Sequence, residues 1–165
     1  MAITRYRPKP STRKKPTDWE GTEQAHLLRW ALGEKNRRHP ITASIFDDLW
    51  HVPNGGHRYK ATAVKLKAEG VKAGIPDLLL DQARGGWFGL RIEMKAKPPH
   101  NAAVSESQKK QLTRSEERGY CCCVALGWEE ARDVLLEYLS WPETKMPEHR
   151  PRLSQGRHWL KKVPA

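Results

Sequence analysis

Two short apolar runs, Ile75 to Leu80 and Trp87 to Lys95, flank Arg84-Gly85-Gly86, and this arrangement constrains the fold more than any other stretch of the chain. Paired glycines tolerate the positive φ of a tight reversal, so the runs are expected to form an antiparallel hairpin. The second run alternates: Leu90, Ile92 and Met94 point one way, and Arg91, Glu93 and Lys95 the other. A sheet with one apolar face needs helices to cover it, and helical patterns lie on both sides. Upstream, Thr17 and Glu20 have capping-box spacing. They precede Ala25, Leu27, Leu28, Trp30, Ala31 and Leu32, which predicts a helix over residues 18 to 36. Residues 45 to 52 read as a strand running into the Pro-Asn-Gly-Gly turn at 53 to 56, and residues 58 to 69 as a helix stopped by Gly70. Downstream, Ser105 to Arg118 reads as a helix ended by Gly119, and Tyr120 to Leu126 as a strand buried on both faces. A last helix at 128 to 140 carries Ala131, Val134, Leu135, Tyr138 and Leu139. The pattern predicts a single α/β domain with a mixed sheet flanked by helices.

A length of 165 residues with 38% hydrophobic composition is enough for a core without staples. The three cysteines, Cys121 to Cys123, are contiguous, which suits neither a zinc site nor a closed disulfide framework; free thiols in a reducing compartment fit. No apolar run reaches membrane-spanning length, and the first residues lack the apolar core of a signal peptide, so a cytoplasmic protein is expected. The net charge of +11 is uneven. Residues 1 to 17 hold six basic residues and no acid, and residues 141 to 165 hold six against two. The span from 18 to 140 keeps 18 basic residues against 17 acidic. The sequence therefore divides into a flexible basic arm (1–16), a near-neutral domain (17–140) and a basic C-terminal extension (141–165), with arms suited to a polyanion. Within the extension, Trp159 among Arg157, His158, Lys161 and Lys162 is a candidate for stacking on a base.

Chemistry concentrates on the hairpin. Asp77 follows Pro76, and Glu93 and Lys95 lie sixteen and eighteen residues on, so paired strands would bring two carboxylates and an ammonium together. Hydrolysing a phosphodiester calls for such a set. A Mg²⁺ ion held by one or two carboxylates offsets charge on the phosphoryl oxygens and acidifies a water, while a lysine steadies the water or the phosphate. An exposed Glu-x-Lys on a strand is also ordinary solvated surface, and the preceding Pro-Asp is what favours function. His51, Asn54 and Arg58 surround the Gly-rich turn, where Asn54 and Arg58 are candidate phosphate contacts, as are Lys109 and Lys110.

The order Pro76-Asp77 then Glu93-x-Lys95 resembles the PD-(D/E)XK nuclease superfamily. More narrowly, His51-Val-Pro-Asn-Gly-Gly56, Gly70-Val-Lys-Ala-Gly-Ile-Pro-Asp77, Leu90-Arg-Ile-Glu-Met-Lys95, Gln108 and Gly119-Tyr120 resemble the virus-type replication-repair nuclease domain, VRR-NUC, over residues 17 to 140. The resemblance implies a restriction-endonuclease-like sheet and DNA cleavage dependent on Mg²⁺ or Mn²⁺, with no small-molecule cofactor. It adds to the site a helix-one glutamate and a glutamine on the helix after the catalytic strand, here Glu23 and Gln108, with Glu23 as a further metal ligand. Small stand-alone members, often from phages, are similar to Holliday junction resolvases and tend to be homodimers, which implies branched DNA as the substrate. Glu23 has separate support, since it lies four residues before Leu27 on the inward stripe, where an unpaired carboxylate is costly. Gln108, three residues after Ser105, also satisfies a capping box. Two rival readings are a DNA-binding module that keeps the fold without catalysis and a nuclease acting on plain duplex or RNA.

Overall fold

Asp18, not Thr17, starts the first helix, α1 (Trp19–Asn36). Its side chain accepts the Gly21 N–H at 2.9 Å. Aspartate is among the stronger caps, and Glu20 is not available to close a box on Thr17 because its carboxylate turns to Lys95. The computed structural model describes residues 17–53, 60–151 and 155–156. The basic arm, Asn54, Arg58 and Trp159 lie outside the described residues.

The last turn of α1 is stapled to the chain that follows it. Glu34 is buried and accepts the Thr42 hydroxyl at 2.6 Å and the Arg37 guanidinium. The Thr42 hydrogen bond, followed by that of Arg37, holds the Glu34 carboxyl below its ordinary value of 4.5. A lowered folded-state pKa means this contribution is full above the unfolded value and is lost as pH falls through the folded one. Thr42→Val, which leaves Glu34 Oε2 without its hydroxyl donor, is expected to cost about 1–3 kcal/mol at pH 7. In urea melts the deficit should narrow as pH is lowered through the acid range, and a deficit unchanged down to pH 3 contradicts the assignment.

Residues 45 to 52 are not one strand. Ile45–Asp48 forms a single helical turn, α2, and only Leu49–His51 is extended, as β1. Ile45 is buried while Asp47, which strand alternation would put on the same side, is exposed, so burial follows the helical turn and overrides β propensity. After α3 (Lys60–Ala68) come β2 (Leu78–Leu80), β3 (Leu90–Lys95), α4 (Glu106–Glu116), β4 (Cys121–Leu126) and α5 (Gly127–Ser140).

The sheet order is β1-β2-β3-β4, antiparallel at the first two pairings and parallel at the third. Leu78 faces Ile92 and Leu80 faces Leu90 across the expected hairpin. Its connection, residues 81 to 89, is longer than a two-residue turn and passes through Gly85 and Gly86 at φ +57° and +89°. Leu90, Ile92 and Met94 pack with Leu27, Ala31, Ala131 and Leu135 beneath α1 and α5. α4 forms the crossover between β3 and β4.

β4 departs from expectation. It is one of the two edge strands, and apart from buried Ala125 its residues are half-buried or exposed. The three cysteines are free; burial pushes the Cys122 and Cys123 thiols up to about 12, so both stay protonated at neutral pH and neither is a ready nucleophile or metal ligand. The start of the C-terminal extension is bonded to the hairpin connection. The N–H of Gly85 donates to the carbonyl of Pro142 at 2.8 Å, that of Thr144 to Ala83 at 3.0 Å, and Trp141 packs on Tyr138. Among the described residues, no helix is long and apolar enough to cross a membrane.

Candidate active site

Extending the β2–β3 register by one step sets Asp77 directly opposite Glu93, and directly opposed residues project to one face. Asp77 Oδ2 accepts the Met94 N–H at 2.9 Å, which holds the carboxylate over the strand between Glu93 and Lys95. Lys95 Nζ donates to Glu93 Oε1 at 2.8 Å and lies 3.4 Å from Glu20 Oε1. Glu93 and Lys95 are only 1% and 4% exposed, an uncommon depth for charged side chains. Asp77 is half-buried.

Gln108 makes two contacts at once. Its Oε1 accepts the Ser105 N–H at 2.8 Å, closing the capping box of α4, while its Nε2 donates to Glu93 Oε1. Glu93 Oε1 therefore has two donors. Glu93 Oε2 is buried and has no hydrogen-bond partner among the described residues. An orphaned carboxylate oxygen at this depth is costly unless a cation or donor reaches it.

The electrostatics agree with the geometry. Burial raises the Glu93 carboxyl above its usual range; the Lys95 hydrogen bond opposes this, and the charge of Asp77 adds to it. For Lys95, burial is the largest influence and pulls downward, but the bond and charge of Glu93 together with Glu20 leave it raised, so it remains an ammonium. The residues present suit Mg²⁺ or Mn²⁺. Asp77 and Glu93, opposed on one face, are oxygen donors of the kind a hard ion takes with water; among the described residues no group of three His, Cys, Asp or Glu side chains that could hold a metal ion is found.

Beside these groups lies a cleft of about 400 Å³, lined by Asp18, Glu20, Gln24, His51, Asp77 and Met94 among others. His51 Nδ1 lies 3.3 Å from the Asp77 carbonyl oxygen, so this histidine borders the site from β1.

Glu23 is elsewhere. Its Oε2 accepts the Trp128 N–H at 3.0 Å, serving the open N-terminus of α5, where an acid is favoured by unpaired amides and the helix dipole. On α1 it is Glu20 whose carboxylate reaches Lys95, at 3.4 Å. In the fold, Glu20, Gln24 and Leu28 recur every fourth residue on the cleft side, whereas Glu23 shares its side with Leu27 and Trp30. Lys109 pairs with Glu106 at 2.8 Å on the exposed side of α4, and Lys110 is exposed; the structure brings neither to the carboxylates.

A mixed sheet flanked by helices, with Pro-Asp and Glu-x-Lys converging across a hairpin, defines a nuclease-fold domain. A solved structure described as a VRR_NUC domain protein has a TM-score of 0.63 and 30% identity to this chain, with 78% of this chain and 94% of that one covered. The chain belongs to the VRR-NUC family. No family sequence model matches it, and no curated protein does.

Proposed function

We propose that the protein is a metal-dependent, structure-selective DNA endonuclease, acting in the cytoplasm as a homodimer on branched DNA. The observation that carries this reading is the convergence of Asp77, Glu93 and Lys95, with Glu93 Oε2 buried and unpartnered among the described residues. Asp77 and Glu93 would hold the ion, which supplies charge neutralisation at the phosphoryl oxygens and an acidified water. Lys95 stays protonated beside Glu93 and Glu20, placed to hold a phosphoryl oxygen or the attacking water by hydrogen bonding. Gln108 fixes the rotamer of Glu93, and the Met94 N–H fixes that of Asp77. Glu20, 43% exposed at the cleft, pairs with Lys95 at 3.4 Å and helps hold its ammonium in place. The basic arms would add affinity for the DNA backbone, and a two-fold assembly would present two such sites to a junction.

Incubation of the full chain with labelled four-way junction, plain duplex and single strands at stated salt decides the reading. Mg²⁺ or Mn²⁺ should support cutting with preference for the junction, and EDTA should stop it. If branched and linear DNA both stay intact with either metal, the proposal is wrong; if duplex or RNA is cut best, its substrate is wrong.

A further inference from the structure

On the side of α1 opposite the cleft lies a second pocket, of about 480 Å³, lined by His26, Arg29, Trp30, Gly33, Arg37 and Trp128. By the 3.6-residue turn, these α1 residues and the cleft residues Glu20, Gln24 and Leu28 occupy opposite sides of the helix. We propose that this pocket takes one unstacked nucleotide of a DNA strand, with the base against the indoles of Trp30 and Trp128 and the flanking phosphates on Arg29 and Arg37.

The two indoles offer flat apolar surface, and both are only half-buried. Guanidinium groups surround them: Arg132 stacks over Trp128 at 5.5 Å, Arg37 is 66% exposed, and Arg29 makes no ion pair among the described residues. His26 meets the Trp128 ring edge-on at 6.5 Å. The acids nearby are committed: Glu23 to the Trp128 N–H, Glu34 to Thr42 and Arg37, and Asp133 to Arg132. Aromatic faces ringed by cations are the chemistry of single-strand recognition, where bases stack and phosphates pair with arginine. Its volume falls in the range of pockets that hold one small ligand, the scale of a single base. Gly33 lines it, and a Cβ there would meet only the flexible Arg37 guanidinium, at 3.5 Å and beyond, so a larger side chain can enter the space.

The inference rests on the nuclease reading and refines it. With one strand in the cleft and an unpaired nucleotide in the pocket, α1 would stand between two strands as a wedge about one helix wide, roughly 10–12 Å. Continuous duplex offers no unstacked base for the second position, so the pocket gives a physical basis for preferring branch points.

Gly33→Leu fills the pocket while replacing a weak helix former with a strong one, so it should fold at least as well as the parent. A branched DNA carrying 5-bromodeoxyuridine at an unpaired branch nucleotide is irradiated with the full chain in EDTA, and the cross-linked peptide is mapped. We expect the adduct on Trp30 or Trp128, with yield and affinity each falling roughly tenfold in Gly33→Leu. Arg29→Gln should weaken binding and reduce the salt slope by about one. An adduct elsewhere, or a Gly33→Leu yield equal to the parent's, overturns the proposal. Metal-dependent cutting by the parent, measured in parallel, reports on the nuclease reading separately. If Gly33→Leu instead splits a dimer in sedimentation and leaves cross-linking unchanged, the occupant is a second copy and the proposal fails.

Discussion

Asp77→Asn is expected to reduce Mg²⁺-supported DNA cutting by about a thousandfold or more, since it removes one of two anionic donors from an ion whose role is charge neutralisation. The fold should tolerate this change. Asp77 Oδ2 accepts the Met94 N–H, and an amide oxygen can take the same bond. Asp77→Ala should lose activity equally but also stability, by about 1–3 kcal/mol, because the strand amide is left unpaired. Two measurements separate site from scaffold. Mn²⁺ should raise the melting temperature of the parent, in which an ion relieves the crowding of Asp77 and Glu93, and should not raise that of Asp77→Asn. An Asn variant that cuts at the parental rate would remove Asp77 from the site, whatever its melting temperature.

The pairing of Asp77 with Glu93 was legible because a hairpin is symmetric about its turn. Gly85 lies midway between the two in sequence, so reversal there places them opposite, and the period of two assigns their side chains to one face. Gln108 was legible for a similar reason, as its spacing from Ser105 fixes it in the first turn of α4, and an amide has a free end for each partner. Glu20 was not. Hydrophobic periodicity gives the buried stripe of α1 but not which of its two margins meets the sheet end and which meets α5. Capping-box spacing assigns Glu20 to the helix start and the inward stripe favours Glu23, whereas tertiary packing turns Glu20 to Lys95 and Glu23 to the Trp128 N–H. The run at 45 to 52 has the composition of a strand, but Ile45 is buried and Asp47 exposed, which fits a helical turn and not alternation, and only Leu49–His51 is extended. The apolar composition of β4 was read as burial on both faces, but small sulfur and methyl side chains also suit a half-covered edge.

Gly74→Ala is expected to be the most damaging substitution outside the charged groups. Gly74 lies at φ +80°, and a Cβ there would sit 2.4 Å from the backbone carbon and oxygen of Ser107 and 2.7 Å from the Gln108 nitrogen. None of those atoms can rotate away, because they belong to the first turn of α4. The loop leading to Asp77 is thus pressed against the helix turn that presents Gln108 to Glu93, and one missing methyl keeps both in place. Left-handed strain and backbone overlap together should cost about 3 kcal/mol or more. Displacing Asp77 from Glu93 by even about 1 Å should lower cutting roughly a hundredfold. Gly70→Ala is the matched control, because Gly70 has φ +97° but nothing within 4 Å of an added Cβ. It carries the strain without the overlap, so it should cost only about 1–2 kcal/mol and leave activity near parental. If the two variants prove equally stable and equally active, close packing of this loop on α4 does not position the site, and the rigidity of the hairpin alone must hold Asp77 against Glu93.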